Sequence, residues 1–480
     1  MTSSPRQPSA PDGPTGKLCT FLASTTLDQV PSATRERAKY LLLDGIACLL
    51  LGAHLPWSET AVHALCRTER DGECIVAGWG ISADPASATM LNSSFIQGFE
   101  LDDYFPRAPL HSAAVVLPSL LAAAEARGTV TGEEFLLAAI LGFETGTRVG
   151  LALGGRQMLT RGWHSGAVFG GLAAAAAAGK LGKLSAASFE DALGIAATQA
   201  GGLMAAQFGS MAKRMQHGFA ARNGYFAAVL AAGGYTGIQQ VFEQPYGGFL
   251  SCFGAGHSPD PEQVARELGS RWDTDAIAIK PYAAMGGVHA AIDAVLMLRR
   301  QMQHEDDFDL QTIARVELDM GDAAFHHGGF PIEPPIVPVT AQMSVLYSTA
   351  VALIDGAAMI EQYSPDRINR DDVWALVRKS TARHHPAFDS GHGFTTRVTL
   401  HFTDGTSLEQ VVDVPRGALN RPLPNEDVLE KAKLLLDRVV DKNRRDELLE
   451  AVARLETVDV AKTLFPLLRT PVKPPFREAP

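Results

Sequence analysis

An acidic loop in the first quarter of the chain concentrates side chains that could carry out acid–base chemistry. It contains Glu100, Asp102 and Asp103, and His111 follows where an apolar run begins. Carboxylates near an imidazole can bind a metal ion, transfer protons or cap the next helix. An imidazole at the entrance to an apolar helix has little structural purpose. We predict that these four residues are catalytic, although both aspartates could be solvated or neutralised by Arg107.

A second candidate lies in RGWHSGAVFGG, residues 161–171. His164 precedes a Ser-Gly-Ala sequence that predicts the start of a helix, whose free backbone N–H groups could bind an anion. The structural alternative is a capping histidine whose ring bonds a nearby carbonyl. Without further context the capping role is favoured, so a catalytic role for His164 stays open at this point.

A third candidate is a group of basic residues in a stretch otherwise rich in Ala, Gly and Met. Lys213, Arg214, His217 and Arg222 lie within ten positions of one another. On a helix, Lys213 and His217 share one face. Burying cations among small apolar residues is costly unless an anion meets them, so a solvated basic stripe fits poorly. We predict that the first three of these residues bind an anionic substrate.

The fourth candidate comprises Lys280 and His289, which flank the Gly-Gly pair at 286–287. Because Pro281 follows it, Lys280 cannot lie in the middle of a helix. Near this point the residue pattern changes from helical to mixed helical and strand-like. We therefore predict a substrate-binding site at a junction between two domains.

Other motifs of known chemistry are missing from the sequence. There is no Gly-rich phosphate loop, no G-x-S-x-G elbow and no pair of zinc ligands at helical spacing. A metal hydratase is conceivable from the acidic loop and the three histidines, but their spacing is not that of a metal site. We therefore predict no bound metal.

Composition restricts the class of protein further. The formal charge of -11 argues against a nucleic-acid surface, so an anionic substrate would need a local cationic cluster. Five scattered cysteines indicate reduced thiols, and no uninterrupted apolar run reaches membrane-spanning length. The N-terminus lacks the apolar core of a signal peptide. We expect a soluble cytoplasmic protein with no membrane partner, although weak import into mitochondria stays open.

The pattern of elements predicts a mostly α protein with a smaller α+β part. We expect a disordered tail at 1–17, a large all-helical domain at 18–269 and an α+β lid domain at 270–416. We expect the helices of 417–480 to return to the helical domain. Alternation in the lid domain predicts one strand at 314–321. It also predicts a hairpin at 395–414 that turns through Asp404-Gly405.

These stretches, taken together and in this order, resemble the MmgE/PrpD family. The segments that carry the resemblance are LLLDGIACLLLGA, ELDD with its following histidine, GWHSGAV, KRMQHGFAARNG, IKPYAAMGGVHAAID and AQMSVLY, so it covers nearly the whole chain from about residue 18. It implies a helical domain with a smaller α+β lid, a homodimer, no cofactor and a site between the domains. Two departures concern the substrate: Met285 stands where some relatives carry histidine, and Phe105-Pro106-Arg107 replaces a polar sequence.

The resemblance also implies an activity and residue roles. The activity is decarboxylation of the small tricarboxylate cis-aconitate to itaconate and CO2. Dehydration of 2-methylcitrate, isomerisation or epimerisation of a dicarboxylate, and an inactive dimeric scaffold are the alternatives. Lys213, Lys280 and Arg214 would bind the carboxylates that stay, and His111 or His164, charged by the acidic loop, would supply the proton.

Overall fold

The computed structural model describes residues 6–66, 72–303, 309–389 and 394–476. Helices dominate the first part of the chain, as the sequence predicts. Its elements are α1 (Pro14–Ser24), α2 (Ser32–Gly52), α3 (Pro56–Cys66), β1 (Cys74–Val76), β2 (Ile81–Ala83), α4 (Pro85–Ile96), α5 (Ser112–Arg127), α6 (Gly132–Ala152), α7 (Gly155–Thr160), α8 (Ser165–Leu181), α9 (Ala186–Ala197), α10 (Ala212–Ala232) and α11 (Phe249–Phe253).

The predicted disordered tail is wrong for residues 6–17, whereas residues 1–5 lie outside the described part. Arg6 donates to Asp191 at 2.8 Å, and the Ser9 amide donates to Glu190 at 2.7 Å. These carboxylates are almost fully buried on α9 and need such partners. The start of the chain is therefore ordered by the helix on which it packs.

Small residues allow the central helices α6, α8 and α10 to pack closely. A Cβ atom on Gly224 of α10 would lie 2.3 Å from the Gly171 carbonyl oxygen of α8. A Cβ atom on Gly142 of α6 would lie 2.8 Å from the Cβ of Ala177 on α8. The Ala- and Gly-rich composition of this region thus serves helix–helix contact.

Within the described residues, α6 is the one helix that alone is long and apolar enough to cross a membrane. The pair α2 and α3 passes the same test only if the two helices are joined across a 79° bend. The apolar stretch of α6 is 94% buried inside the protein, between α5 and α8. Burial on all sides explains its uniform hydrophobicity.

The second part of the chain is an α+β unit built on a four-stranded sheet. Its elements are α12 (His289–Gln303), β3 (Ile313–Met320), α13 (Asp322–Gly328), α14 (Pro338–Met343), α15 (Val345–Asp355), α16 (Asp371–Val377), β4 (Ser380–His384), β5 (Thr396–Phe402) and β6 (Ser407–Val412). The strand order is β4-β3-β5-β6, with β4 parallel to β3 and the other pairs antiparallel.

The sheet contains the predicted strand and hairpin and one strand that was not predicted. Leu318 of β3 pairs with Val398 of β5, and these two residues lie on the buried face, which α12 covers. In the hairpin, Gly405 adopts φ +90° and the Asp404 side chain accepts from the Thr406 amide at 2.8 Å. Strand β4 begins at Ser380, shortly after α16 ends at Val377.

The last helices are α17 (Asn425–Val439), α18 (Lys442–Ala453) and α19 (Val460–Arg469), and they pack against the first part of the chain. Helix α17 lies along α2, and α19 contacts β1 and α5. Lys431 of α17 is buried, with its ammonium 2.6 Å from Asp44 of α2 and bonded to the Leu101 carbonyl. The C-terminal segment therefore supports the acidic loop from behind.

Candidate active site

A cavity of about 160 Å³ lies between the helical part and the α+β part. Most of its polar lining comes from the loops and helices singled out in the sequence. Its apolar lining comes mainly from the α+β part of the chain. The polar side chains are those of Glu100, Tyr104, His111, His164, Ser165, Lys213, Lys280 and His327. The apolar ones include Pro109, Met204, Met285, Ala323, Ala324, Met343 and Phe394.

Glu100 is the centre of a buried ionic cluster. Its Oε1 accepts from Lys213 and, at 2.6 Å, from Arg214, while its Oε2 accepts from Lys280 at 2.8 Å. Gln97 adds a further bond at 2.8 Å. Three cations around one carboxylate leave net positive charge at the cavity wall, which suits an anionic ligand.

The turn that carries Glu100 has an unusual backbone conformation. Helix α4 ends at Ile96 and is followed by a 3₁₀ turn, Gln97–Phe99. Glu100 then adopts φ +57°, a left-handed conformation that costs a non-glycine residue about 1–2 kcal/mol. This conformation is held by the cationic bonds to its side chain, so the backbone and the ionic cluster support each other.

The cluster changes the ionisation of its members. Burial alone would raise the pKa of Glu100, but Lys213, Lys280 and Arg214 outweigh it and hold the pKa well below its usual value. Burial lowers the pKa of Lys213 to about 8, and Arg214 adds to this effect while Glu100 opposes it. Glu100 is thus a permanent anion, whereas Lys213 can lose its proton in mildly alkaline solution.

Arg214 lies beneath the cavity and not in its lining. Its guanidinium bonds Glu100, the Gln97 carbonyl at 3.3 Å and the Gln342 side chain at 2.6 Å. Gln342, on α14, also donates to the Phe99 carbonyl at 2.8 Å. Protein groups occupy this buried guanidinium, and its direct contact with a substrate stays a prediction. Arg214 connects the two parts of the chain.

The two aspartates of the acidic loop have different partners. His111 Nδ1 donates to Asp102 Oδ2 at 2.8 Å, and Asp102 is fully buried. Asp103 accepts from the backbone amides of Ser112 and Ala113 at 2.8 and 2.9 Å. Asp103 therefore caps α5 and is not part of the cavity lining, and its catalytic role stays a prediction. Asp102 holds the imidazole that does reach it.

Arg107 does not neutralise these aspartates. Its guanidinium is half exposed and lies 3.8 Å from Asp273. The sequence alternative of an Arg107 salt bridge within the loop is therefore wrong. Asp102 instead has His111 Nδ1 at 2.8 Å and Lys280 Nζ at 3.9 Å.

His164 and His217 are both buried but differ in access to the cavity. His164 lines it, and its Nδ1 accepts from the Ala167 amide at 3.3 Å at the start of α8. Burial, with help from Lys213 and His111, lowers the pKa of His164 to about 3. This imidazole is neutral at physiological pH. Since its Nδ1 accepts, its Nε2 carries the proton and can donate to a ligand.

His217 lies behind the other two imidazoles and outside the cavity lining, and its role in substrate binding stays a prediction. Its ring is edge-on to those of His111 and His164, with centroids 4.8 and 4.9 Å apart. Neither ring nitrogen has a hydrogen-bond partner among the described residues. Burial lowers its pKa well below the usual value. His217 is a neutral ring that packs against His111 and His164, and this packing sets the positions of the two cavity histidines.

His289 lies outside the cavity lining, and its role in substrate binding stays a prediction. Its Nε2 donates to the Ala284 carbonyl at 3.0 Å, and its ring packs edge-on against the ring of Tyr282. Burial lowers its pKa to about 3. The hydrogen bond to Ala284 holds in place the loop that carries Lys280 and Met285, both of which line the cavity.

Several cavity residues were missed by the sequence analysis. His327 of α13 and the apolar residues Met204, Met343 and Phe394 carry no local motif that distinguishes them from ordinary core or surface residues. Ser165, which donates to the Pro109 carbonyl, lay in a quoted stretch but was not selected. Within the described part of the chain, no group of three or more His, Cys, Asp or Glu side chains is arranged to hold a metal ion.

Comparison with known proteins agrees with this architecture. The profile of the MmgE/PrpD N-terminal domain matches residues 16–262, and that of the MmgE/PrpD C-terminal domain matches residues 282–457. The chain therefore belongs to the MmgE/PrpD family, as the resemblance in the sequence indicated.

Curated relatives match over almost their whole length. The cis-aconitate decarboxylase of Aspergillus terreus is 44% identical over 99% of this chain and 100% of its own length. The cis-aconitate decarboxylase-like protein oryM of Aspergillus oryzae is 44% identical over 95% of this chain and 98% of its own. The human cis-aconitate decarboxylase is 27% identical over 92% of this chain and 91% of its own.

Proposed function

We propose that this protein decarboxylates cis-aconitate to itaconate and CO2. The observation that carries the proposal is one cavity in which Lys213 and Lys280 face the Asp102-bound His111 beside an apolar wall. The 44% identity to the Aspergillus terreus decarboxylase over the whole chain supports the same reaction.

The reaction needs one proton and no net oxidation. The CH2-bound carboxylate leaves as CO2, and its bonding electrons form a new double bond to the central carbon. The former double-bond electrons move to the old alkene CH, which takes the proton. A cis-aconitate trianion and one proton thus give an itaconate dianion and CO2. The protein must bind two carboxylates, destabilise the third and supply a proton.

Lys213 and Lys280 are the proposed ligands for the two carboxylates that remain. Each ammonium has three donors and gives one to Glu100, so each has donors left for substrate. Glu100 holds the two ammonium groups together, which avoids the cost of bringing them together when the substrate arrives. Its role is to position cations and not to transfer protons, because its pKa is held well below the usual value.

His111 is the proposed proton donor. With Nδ1 bonded to Asp102, its Nε2 is the nitrogen left for substrate. His164 is neutral because its pKa is about 3, so it suits hydrogen bonding to a substrate carboxylate better than proton transfer. The environments of the two histidines thus assign them different tasks.

The apolar wall is the proposed place of the departing carboxylate. Met204, Met285 and Met343 line the cavity with Phe394. A carboxylate is poorly solvated there, whereas CO2 is uncharged, so the surroundings favour bond cleavage. Met285, which stands where some relatives carry histidine, is part of this wall. We therefore connect this difference in sequence with decarboxylation.

Turnover of the purified protein on cis-aconitate in D2O tests the proposal. We expect itaconate with one deuterium at the methylene beside its carboxylate, and release of one CO2. His111→Ala should abolish turnover with little change in thermal unfolding. Absence of itaconate while 2-methylcitrate is dehydrated would refute the proposal in favour of the family's other activity, and deuterium exchange without CO2 would indicate an isomerase or epimerase.

We also propose a homodimer formed through α10. Phe219, Phe226, Val229 and Leu230 on this helix are each more than 40% exposed, and an apolar surface of this kind on one helix marks an interaction site. Light scattering should give the mass of two chains, and Phe226→Glu should shift it to one. Val411→Glu, at an exposed apolar position on β6, is the matched control and should stay dimeric.

A cytoplasmic location is proposed on the cysteines. All five lie in the described part of the chain and none forms a disulfide, which suits a reducing compartment. Fluorescence of a C-terminally tagged chain in cells tests this, and co-localisation with mitochondria would contradict it.

A further inference from the structure

One imidazole in the lining of the active-site cavity has no role in the proposed reaction so far. His327 of α13 lines the cavity together with Ala323 and Ala324, which lie one turn earlier on the same face of this helix. Of the described lining residues that follow Gly287, His327 is the one with a polar side chain. The α+β part of the chain therefore presents a single polar side chain to a ligand in the cavity.

The ring nitrogens of His327 are not engaged by the protein in the part of the chain that the structure describes. The other two imidazoles of the lining each have one nitrogen bonded to a protein group: His111 Nδ1 to Asp102 at 2.8 Å, and His164 Nδ1 to the Ala167 amide at 3.3 Å. No such bond holds His327, whose nearest charged neighbours act on it only through space. Its ring thus has a donor and an acceptor to offer a ligand.

The ring of His327 carries no charge at physiological pH. Burial lowers its pKa below the usual value, His326 adds to this effect and Asp322 opposes it. A neutral imidazole can donate a hydrogen bond without placing a positive charge beside the acceptor. This property distinguishes His327 from Lys213 and Lys280, which are the cations of the same lining.

Helix α13 packs against the apolar wall of the cavity. A Cβ atom on Gly328, the residue after His327, would lie 3.0 Å from the Met285 methyl carbon and 3.2 Å from the Met343 carbonyl oxygen. Both methionines belong to the wall beside which the departing carboxylate is proposed to lie. His327 is therefore the polar group set among the residues of this wall.

A carboxylate that must leave as CO2 is suited to an uncharged donor. A cation would stabilise the negative charge that bond cleavage removes, and so would stabilise the bound substrate more than the transition state. One hydrogen bond from a neutral imidazole has a smaller effect of this kind, yet it restricts the rotation of the carboxylate. The product lacks this group, so itaconate loses the contact.

We propose that His327 is a specificity-determining residue, whose imidazole donates a hydrogen bond to the third carboxylate of the substrate, the one that leaves as CO2. The inference rests on the proposed function, because it takes the ligand to be a tricarboxylate. Lys213 and Lys280 bind the two carboxylates that substrate and product share. His327 distinguishes a tricarboxylate from a dicarboxylate.

Two unreactive ligands that differ by one carboxylate test the site by titration calorimetry. Tricarballylate has the three carboxylates of the substrate without its double bond, and methylsuccinate lacks the carboxylate that would leave. His327→Leu should weaken the binding of tricarballylate by about tenfold, the effect of losing one hydrogen bond to a charged group, and leave the binding of methylsuccinate unchanged. Equal weakening of both ligands, or of neither, would overturn the proposal.

Three further variants separate hydrogen bonding from packing. His326→Leu is the matched control, because His326 lies on the same helix with its side chain 67% exposed and should not affect either ligand. His327→Phe keeps a ring without an N–H group and should behave like His327→Leu. His327→Gln retains a donor and should recover most of the affinity for tricarballylate. If it binds no better than His327→Phe, the hydrogen bond is refuted.

Steady-state kinetics separates this inference from the proposed reaction. In His327→Leu, KM for cis-aconitate should rise by about tenfold, whereas the inhibition constant of itaconate should not change. Binding of tricarballylate that depends on His327 in a protein that forms no itaconate would refute the reaction and support the site. Formation of itaconate with the same KM in His327→Leu and in the wild type would refute the site and support the reaction.

Discussion

Lys280 and Glu100, 180 positions apart in the sequence, are joined by a buried hydrogen bond of 2.8 Å across the cavity wall. Lys213 and Arg214 bond the other oxygen of the same carboxylate. One anion thus holds three cations from two distant segments, and among the described residues no other carboxylate lines the pocket. The cationic surface offered to a substrate is built around an internal acid.

Glu100→Gln should be strongly destabilising. Without the central anion, three buried cations repel one another, and we expect a loss of about 3–5 kcal/mol in the free energy of unfolding. Chemical denaturation measures it. Glu409→Gln, in the exposed hairpin and 3.7 Å from Arg397, is the matched control and should change stability by less than about 1 kcal/mol. Equal stability of Glu100→Gln and wild type would contradict the ionic cluster.

Asp102→Asn tests the assignment of His111 as proton donor. An Asn side chain is a weaker acceptor than the carboxylate and can turn its NH2 group toward Nδ1, so kcat should fall by about a hundredfold or more while KM changes little. Steady-state kinetics, with kcat and KM determined separately, provides the readout. Asp389→Asn removes a similar partner from His384 on the surface, at 2.9 Å, and should leave kcat unaltered. A rise in KM with kcat unchanged would argue instead for a role in binding.

The activity should decline in alkaline solution as Lys213 loses its proton. Its pKa in the free protein is about 8, and the protonated form binds substrate, so kcat/KM is highest below this pH and falls as the pH rises through it. Initial rates between pH 6 and pH 10 measure the profile, with thermal unfolding at each pH to exclude loss of fold. In Lys213→Met the low remaining activity should show no limb near pH 8. Persistence of that limb would assign it to another group.

Gly166→Ala should disturb the histidine group through packing alone. A Cβ atom there would lie 2.2 Å from Nε2 of His217, which then must shift against His111 and His164. We expect a lower kcat and a loss of about 1–3 kcal/mol in stability from overpacking. Gly201→Ala is the control, because nothing lies within 4 Å of its added Cβ. Wild-type kinetics in Gly166→Ala would show that the position of His217 does not matter.

Local patterns in the sequence were sufficient for the main elements of the fold. Wide apolar faces predicted α2, α6 and α8, and alternation with Asp404-Gly405 predicted the β5–β6 hairpin. These features depend on neighbours a few positions away, which the sequence displays directly. Order at residues 6–17 was missed because Arg6 and Ser9 find their partners on α9, far along the chain.

The sequence by itself determined which chemical groups the protein possesses: the acidic loop, two lysines and several imidazoles at unusual positions. Only the tertiary structure decided their pairings. It gave Asp102 to His111 and Asp103 to the end of α5, and it placed His217 behind the cavity. The physical reason is that burial and ion pairing depend on distances of a few ångströms between segments more than a hundred residues apart. Such distances are set by helix packing and leave no mark on local spacing.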